Sequence, residues 1–317
     1  MLEAILNDPG IAVMLGDADV GKTTTATAIA NAAVRVGYRT VVVDTDIGQS
    51  DIGPPATVGL ALACRPVLQM DQLPAAAAFF VGDTQPQFVY RYWVEGAVRS
   101  VAWARRRGAE VIVVDTTGWV EGSAAVAAKA RKIRGIGPRH VVALQRSGEL
   151  EPILARLPEG TIVHRLRASF RARARSREMR RIARVHRFRQ YFASARRHVV
   201  DLAAFPADRP AVYAGRHIPQ ARMLAEIPGS ALRHLLVGLV DQDGWLAAVG
   251  SIIETTPAAQ AVAIAAPLRS LAGVSGLQWG VLRVAPAGTE EGRLQWRRRH
   301  GRPRQEYCGD EPAPEGT

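Results

Sequence analysis

The sequence predicts an α/β fold, a doubly wound and mostly parallel sheet followed by a small β-rich C-terminal domain. Three observations carry this expectation. Apolar, β-branched runs alternate with helix-forming stretches through the first half of the chain. A glycine-rich turn joins the first such run to the first helix. Past Pro206 the alternation gives way to a strand–turn–strand pattern. With 317 residues, 48% of them hydrophobic, the chain can bury a full core, and its length suits one large domain plus a smaller one.

The expected strands of the first domain are Ile11–Leu15, Arg39–Asp44, Glu110–Asp115, Arg139–Leu144 and Thr161–Leu166. Each is apolar rather than alternating, as expected of a strand covered on both faces. Helices are expected at Lys22–Val36, Phe88–Arg107, Gly122–Arg134 and Leu150–Arg156, so the connections should be right-handed crossovers. In the second domain Leu235–Val240, the turn DQDG and Trp245–Ile253 predict a hairpin, with another strand at Leu277–Val284. The expected division is a nucleotide-binding domain over 1–205, including an arginine-rich segment at about 165–197. A β-rich domain follows over 206–296, then a tail over 297–317 whose RRRHGRPR run, acids and prolines predict disorder.

Gly16 to Thr23 match the phosphate-loop pattern GxxxxGK[ST], with an apolar strand before them and a helix after, the context that the pattern requires. This makes the fold a P-loop NTPase. Gly16 and Gly21 free the backbone so that successive N–H groups can face phosphate oxygens, and the helix N-terminus adds its positive dipole end. Gly16, Asp17, Asp19, Val20, Gly21, Lys22, Thr23 and Thr24 are the expected nucleotide-binding residues. Lys22 should bridge the β- and γ-phosphates and the Thr23 hydroxyl should ligate Mg2+.

In sheets of this kind ligands sit beyond the carboxyl ends of the strands. The second strand delivers DTDIGQSDIGPP there. Of its alternating acids one can face the phosphates while the other faces the interior or a backbone amide, and Asp46 is the candidate for the reaction centre. It could hold Mg2+ or accept a proton from an attacking hydroxyl; alternatively these acids cap a turn rich in Gly and Pro. The third strand ends in DTTGW, where Asp115 and Gly118 suit a γ-phosphate sensor beside the metal. Trp119 could stack on a base or pack against a helix. GDTQPQFVYRYW, Gly82 to Trp93, reads as a loop opening into a helix that could grip an acceptor strand, or as a plain connection.

The net charge is +12, and lysine occurs only at Lys22, Lys129 and Lys132. Such a balance suits polyanionic partners. From Arg165 to Arg197 there are thirteen arginines and one acid, Glu178. The arginines do not share one helical face, yet Met179, Ile182, Phe188 and Phe192 recur every three or four residues, which predicts a cationic amphipathic helix pair. It could be a solvated basic face that binds phosphate backbones, or a lid whose arginines spread transition-state charge. Two distant cysteines, Cys64 and Cys308, suggest neither a disulfide framework nor a structural zinc site, so a reducing, cytoplasmic setting is expected. No apolar run is long enough to predict a membrane span, and no targeting peptide is expected ahead of the phosphate loop.

GDADVGKTT, DTDIGQSDIGPP, GDTQP, DTTGW, and RSREMR followed by RFRQYF, in this order over roughly residues 11 to 192, resemble the polynucleotide 5′-hydroxyl kinase family. Its eukaryotic members work in pre-mRNA 3′-end cleavage, tRNA splicing and ribosomal RNA processing and carry an extra N-terminal domain. This chain begins almost at its first strand, as in prokaryotic members, whose C-terminal module the second domain resembles. The resemblance implies phosphorylation of 5′-hydroxyl ends of RNA, with DNA as a further acceptor, from ATP or GTP with Mg2+. Lacking a guanine-reading [NT]KxD signature, the sequence favours ATP. The resemblance further implies that Lys22 and Thr23 hold nucleotide and metal, that Asp46 activates the 5′-hydroxyl, and that Gln49 orders the metal or the acceptor end. Thr84 and Gln85 would contact the acceptor backbone, Trp119 would stack on its terminal base, and Arg175 and Arg180 match the lid pair. Two other classes compete: an ATP-holding scaffold in an RNA-processing complex with no turnover, and a metallochaperone or partitioning NTPase, which would need clustered Cys or His, or a dimer signature.

Overall fold

The computed structural model describes residues 1–168, 175–206, 211–213 and 216–294. The expected tail at 297–317, Cys308, and residues 169–174 of the arginine segment lie outside the described residues. Elements follow in the order α1 (Leu2–Asn7), β1 (Ile11–Gly16), α2 (Lys22–Arg35), β2 (Thr40–Thr45), β3 (Thr57–Ala63), β4 (Ala77–Phe80), α3 (Pro86–Arg106), β5 (Val111–Thr116), α4 (Ser123–Ile136), β6 (His140–Gln145), α5 (Glu151–Leu154), β7 (Ile162–Arg167) and α6 (Arg177–Phe192). They continue with β8 (Arg196–Asp201), β9 (Ala211–Tyr213), β10 (Arg216–Ile218), α7 (Gln220–Glu226), α8 (Gly229–Leu232), β11 (Leu235–Val240), β12 (Leu246–Thr256), β13 (Ala261–Ala266), β14 (Gly276–Val284) and β15 (Glu290–Arg293).

The first sheet has seven strands in the order β4-β3-β2-β5-β1-β6-β7. The run from β2 to β7 is parallel, as the uniformly apolar strands predicted. Both faces are covered. Ala26, Ile29, Ala30 and Ala33 of α2, with Ile5 of α1, pack on one face, while Val89, Trp93, Ala97 and Val101 of α3 and Ile133 of α4 pack on the other. The architecture is thus a P-loop NTPase α/β fold, with the phosphate loop leaving β1 between β5 and β6. Strands β3 and β4 extend the sheet antiparallel from β2. They were not expected, because TVGLALA and AAFF carry neither polar alternation nor a tight hairpin turn. The expected helix at Leu150–Arg156 contracts to the single turn α5.

The second sheet is antiparallel, ordered β15-β14-β11-β12-β13-β8. Its outer strand β8 precedes Pro206, so we place the division between the two units, as a proposal, after α6. Among the described residues the arginine segment forms one helix rather than a pair. Ser176 caps it, accepting from the Met179 N–H at 3.1 Å. Its expected apolar face is half realised: Phe188 and Phe192 are buried, whereas Met179 and Ile182 are exposed. The reason is the second sheet, whose Leu236, Val249, Leu282 and Val284 receive only the C-terminal half of the helix. Tyr191 completes this seat by accepting the Val249 N–H at 2.8 Å. Phe188→Ala is expected to cost about 3–5 kcal/mol of stability through the cavity it leaves, measured by denaturant unfolding; a loss under ~1 kcal/mol would show that the helix is not anchored there.

Candidate active site

The carboxyl ends of β1, β2 and β5 meet at the phosphate loop, because β5 lies between the other two. Asp44 and Asp115 stand in register on β2 and β5. Beyond them opens a cavity of about 1010 Å³ lined by Asp17, Asp19, Gly21, Lys22, Thr23 and Thr24 of the loop, Asp46 and Gln49 after β2, Thr84 and Gln85 ahead of α3, Gly118 and Trp119 after β5, and Arg175, Arg177, Arg180, Arg184 and Arg187. Expected site residues from five separate stretches therefore share one space.

Gly16 and Val20 do not line it; they shape the loop from below. A Cβ on Gly16 would lie 2.6 Å from Val20 Cγ2 and 2.7 Å from the Leu144 carbonyl, and Val20 is buried. Asp115 is likewise beneath the cavity: its Oδ2 accepts the Thr23 hydroxyl at 2.5 Å and its Oδ1 the Thr116 N–H at 2.8 Å. Burial pushes its carboxyl up to about 6, against the opposing pull of Lys22 and the Thr23 hydroxyl. Its folded pKa thus lies above the ordinary 3.8, so the folded state binds this proton more tightly and loses stability as pH rises through that interval. Asp115→Asn is expected to raise the nucleotide-free Tm at neutral pH and to flatten its fall between about pH 4 and 6, read by calorimetry; an unchanged profile would contradict the assignment.

The two acids of β2 diverge. Asp44 turns inward and accepts from the Asp46, Asp51 and Ile52 N–H groups at 2.9, 2.6 and 3.1 Å; burial first, then the neighbouring carboxylates, drives its pKa well up. Asp46 faces the cavity. Its Oδ1 accepts from the Gly48 and Gln49 N–H groups at 3.2 and 3.0 Å, and its Oδ2 has no hydrogen-bond partner among the described residues. A site for a metal needs a matching donor set. Among the described residues no group of three or more His, Cys, Asp or Glu could hold one. The Thr23 hydroxyl and the Asp46 carboxylate nonetheless offer the hard oxygens that suit Mg2+, which usually takes one or two protein ligands and completes its shell with phosphates and water.

Helix α6 lies over the phosphate loop. Asp19, held at a left-handed φ of 57°, accepts from the Arg175 N–H at 2.8 Å, from Arg175 Nε at 3.1 Å and from Arg180 Nη2 at 3.3 Å. Burial alone would raise the Asp19 carboxyl, but these donors outweigh it and hold its pKa below the ordinary value. Gln49 Nε2 donates to the Arg180 carbonyl at 3.3 Å, tying the segment after β2 to the same helix. Arg177, Arg180, Arg184 and Arg187 recur every three or four residues and share the cavity face, although the arginines as a set do not. Trp119 lines the cavity and also packs on Trp93, with ring centroids 6.4 Å apart. The Thr84 hydroxyl is buried without a hydrogen-bond partner among the described residues, and Gln85 receives Gln87 Nε2 at 3.0 Å.

Sequence reasoning found no chemistry in the second sheet, yet that sheet braces the site. Arg293 of β15 donates to both oxygens of the fully buried Asp83 carboxylate, at 2.6 and 2.9 Å, beside Thr84. Arg184 pairs with Glu290 at 2.6 Å. Lys129 and Lys132, both fully buried, were also missed as site residues, although their rarity was a signal. Lys132 Nζ donates to the Thr45 hydroxyl at 2.7 Å and lies 3.8 Å from the Trp93 ring centroid. Burial lowers both lysine pKa values, that of Lys129 to about 7.

A family model described as mRNA cleavage and polyadenylation factor CLP1 P-loop matches residues 16–194. The polyribonucleotide 5′-hydroxyl-kinase of Pyrococcus furiosus is 28% identical over 91% of this chain and 92% of its own length. That of Thermococcus kodakarensis is 30% identical over 93% and 94%. A solved Clp1p–Pcf11p complex is similar at a TM-score of 0.67 and 14% identity, covering 89% of this chain and 77% of that one, a likeness of fold.

Proposed function

The chain belongs to the CLP1 P-loop family, and from that membership we propose that it is a polynucleotide 5′-hydroxyl kinase, a phosphotransferase that moves the γ-phosphate of ATP to the 5′-hydroxyl end of RNA. Near full-length likeness to archaeal kinases of that name supports the reading. The observation that carries it is the single cavity in which the phosphate loop, the Asp46 carboxylate and the arginines of α6 face one another.

The chain's own residues divide the work. Lys22 and the loop N–H groups hold the β- and γ-phosphates. The 5′-hydroxyl oxygen, held between Gln49, Thr84 and Gln85 with Trp119 under its base, bonds to the γ-phosphorus while the bond from that phosphorus to the β–γ bridging oxygen breaks. Its proton passes to the free Oδ2 of Asp46, and ADP departs with the bridging oxygen. Arg175 and Arg180 leave Asp19 for the phosphoryl oxygens, where charge develops. The Thr23 hydroxyl, which Asp115 receives, and the Asp46 carboxylate would hold Mg2+, which when bound would supply neutralisation of the phosphate charge. ATP is favoured over GTP because the sequence carries no guanine-reading [NT]KxD signature; DNA is a further acceptor. Among the described residues no helix is long and apolar enough to cross a membrane. Separately, the exposed free thiol of Cys64 supports a reducing, cytoplasmic setting.

Incubation with Mg2+, γ-labelled ATP and a 5′-hydroxyl RNA oligonucleotide is expected to put label on the RNA 5′ end. ATP retained without transfer would support a nucleotide-holding scaffold and remove the kinase reading.

A further inference from the structure

Of the 41 lysines and arginines of this chain only three are lysine, and all three, Lys22, Lys129 and Lys132, are buried around one site. Lys22 belongs to the phosphate loop. The other two sit on α4, where the three-residue spacing puts both on one helical face, beneath the strand ends. Lys129 Nζ donates to the Thr117 carbonyl at 2.6 Å and to the Thr116 hydroxyl at 2.9 Å. That hydroxyl in turn donates to the Met14 carbonyl at 2.8 Å, so it receives Lys129 through a lone pair. A compact ammonium with three donors on a flexible stem fits this enclosed position, where a planar guanidinium would not.

The carbonyl that Lys129 holds belongs to the Thr117–Gly118 peptide. In a trans peptide the C=O and N–H point to opposite sides of the chain. Fixing the carbonyl from below therefore turns the Gly118 N–H away from Lys129. Gly118 lines the cavity with Lys22, and its N–H has no hydrogen-bond partner among the described residues. It also abuts the phosphate loop: a Cβ on Gly118 would fall 2.4 Å from the Ala18 nitrogen.

We propose that Lys129 is a positioning residue for the terminal phosphate, holding the Thr117–Gly118 peptide from beneath so that the Gly118 N–H is presented to the γ-phosphate. The inference rests on the nucleotide site proposed above. Lys129 touches no substrate; it acts through a peptide dipole that its donation to the carbonyl both orients and polarises.

The test compares two nucleotides that differ only at that phosphate. Lys129→Met keeps the length of the stem and removes the donor. ADP affinity is expected to stay within about twofold of the parent, while affinity for a non-hydrolysable ATP analogue falls by roughly tenfold, the loss expected of one charge-assisted hydrogen bond. Equal changes for both ligands, or none, would overturn the proposal; a purely structural lysine would give the former. In the unmutated protein the Gly118 amide resonance is expected to move downfield with the ATP analogue and not with ADP, a measurement that does not depend on the variant folding. Equal shifts, or no shift at saturation, would also overturn it. If the parent binds neither nucleotide, the kinase reading falls and takes this inference with it; binding with an unaltered ATP-to-ADP ratio in the variant removes the inference alone.

Discussion

Asp46→Asn is expected to slow phosphoryl transfer by roughly a hundredfold to ten-thousandfold while leaving ATP affinity within about threefold. The asymmetry follows from what each carboxylate oxygen does. Oδ1 accepts the Gly48 and Gln49 N–H groups and an asparagine oxygen can go on doing so, keeping the segment after β2 in place. The unpartnered Oδ2 becomes an amide nitrogen, which has no lone pair for the 5′-hydroxyl proton. The buried neighbour Asp44, saturated by three backbone N–H donors, cannot take over. Single-turnover transfer from pre-bound ATP separates the two quantities. A variant that transfers at the parental rate would take the proton-accepting role away from Asp46.

The second large effect concerns the arginines of α6. The pair Arg175→Ala and Arg180→Ala is expected to lower kcat by roughly a thousandfold or more, the scale at which arginines act in phosphoryl transfer, with little change in fold because both are partly exposed. Their guanidiniums rest on Asp19 of the phosphate loop. That carboxylate occupies them where a phosphate would later compete, so the helix is already poised over the site. Asp19→Ala should accordingly loosen α6 while sparing the arginines' catalytic effect at saturating ATP. Steady-state kinetics with varied ATP and varied RNA distinguishes the cases. A kcat loss below about tenfold in the double variant would make α6 a basic surface rather than a lid.

The parallel strands and the phosphate loop were legible because their signals are local. Runs such as VVVD and VIVVD admit only a strand buried on both faces, and the glycines and Lys22 of the loop fall within one turn of chain. The acids at the ends of β2 and β5 followed from the same reading, since strand ends point at the site. What stayed hidden depends on contacts between distant segments. Nothing in TVGLALA announces an antiparallel partner for β2. Arg293 reaches Asp83 across 210 positions, so the bracing of Thr84 by the second sheet has no signature in either stretch. The same holds for α6: its sequence offers arginines on every side, and only the docking of Phe188 and Phe192 onto the second sheet decides that Arg177, Arg180, Arg184 and Arg187 face the cavity. Lys129 lay within reach, since a lysine in so arginine-rich a chain marks a place where a guanidinium does not fit.

The central claim is a direct handover of the phosphoryl group from nucleotide to RNA inside one cavity, with Asp46 accepting a proton and never a phosphate. The stereochemical course tests it most directly. With ATP made chiral at the γ-phosphorus by oxygen isotopes, the 5′-phosphate of the RNA product is expected to show inversion, as a single in-line displacement requires. Retention would mean two displacements through a phosphorylated side chain, and would contradict the account.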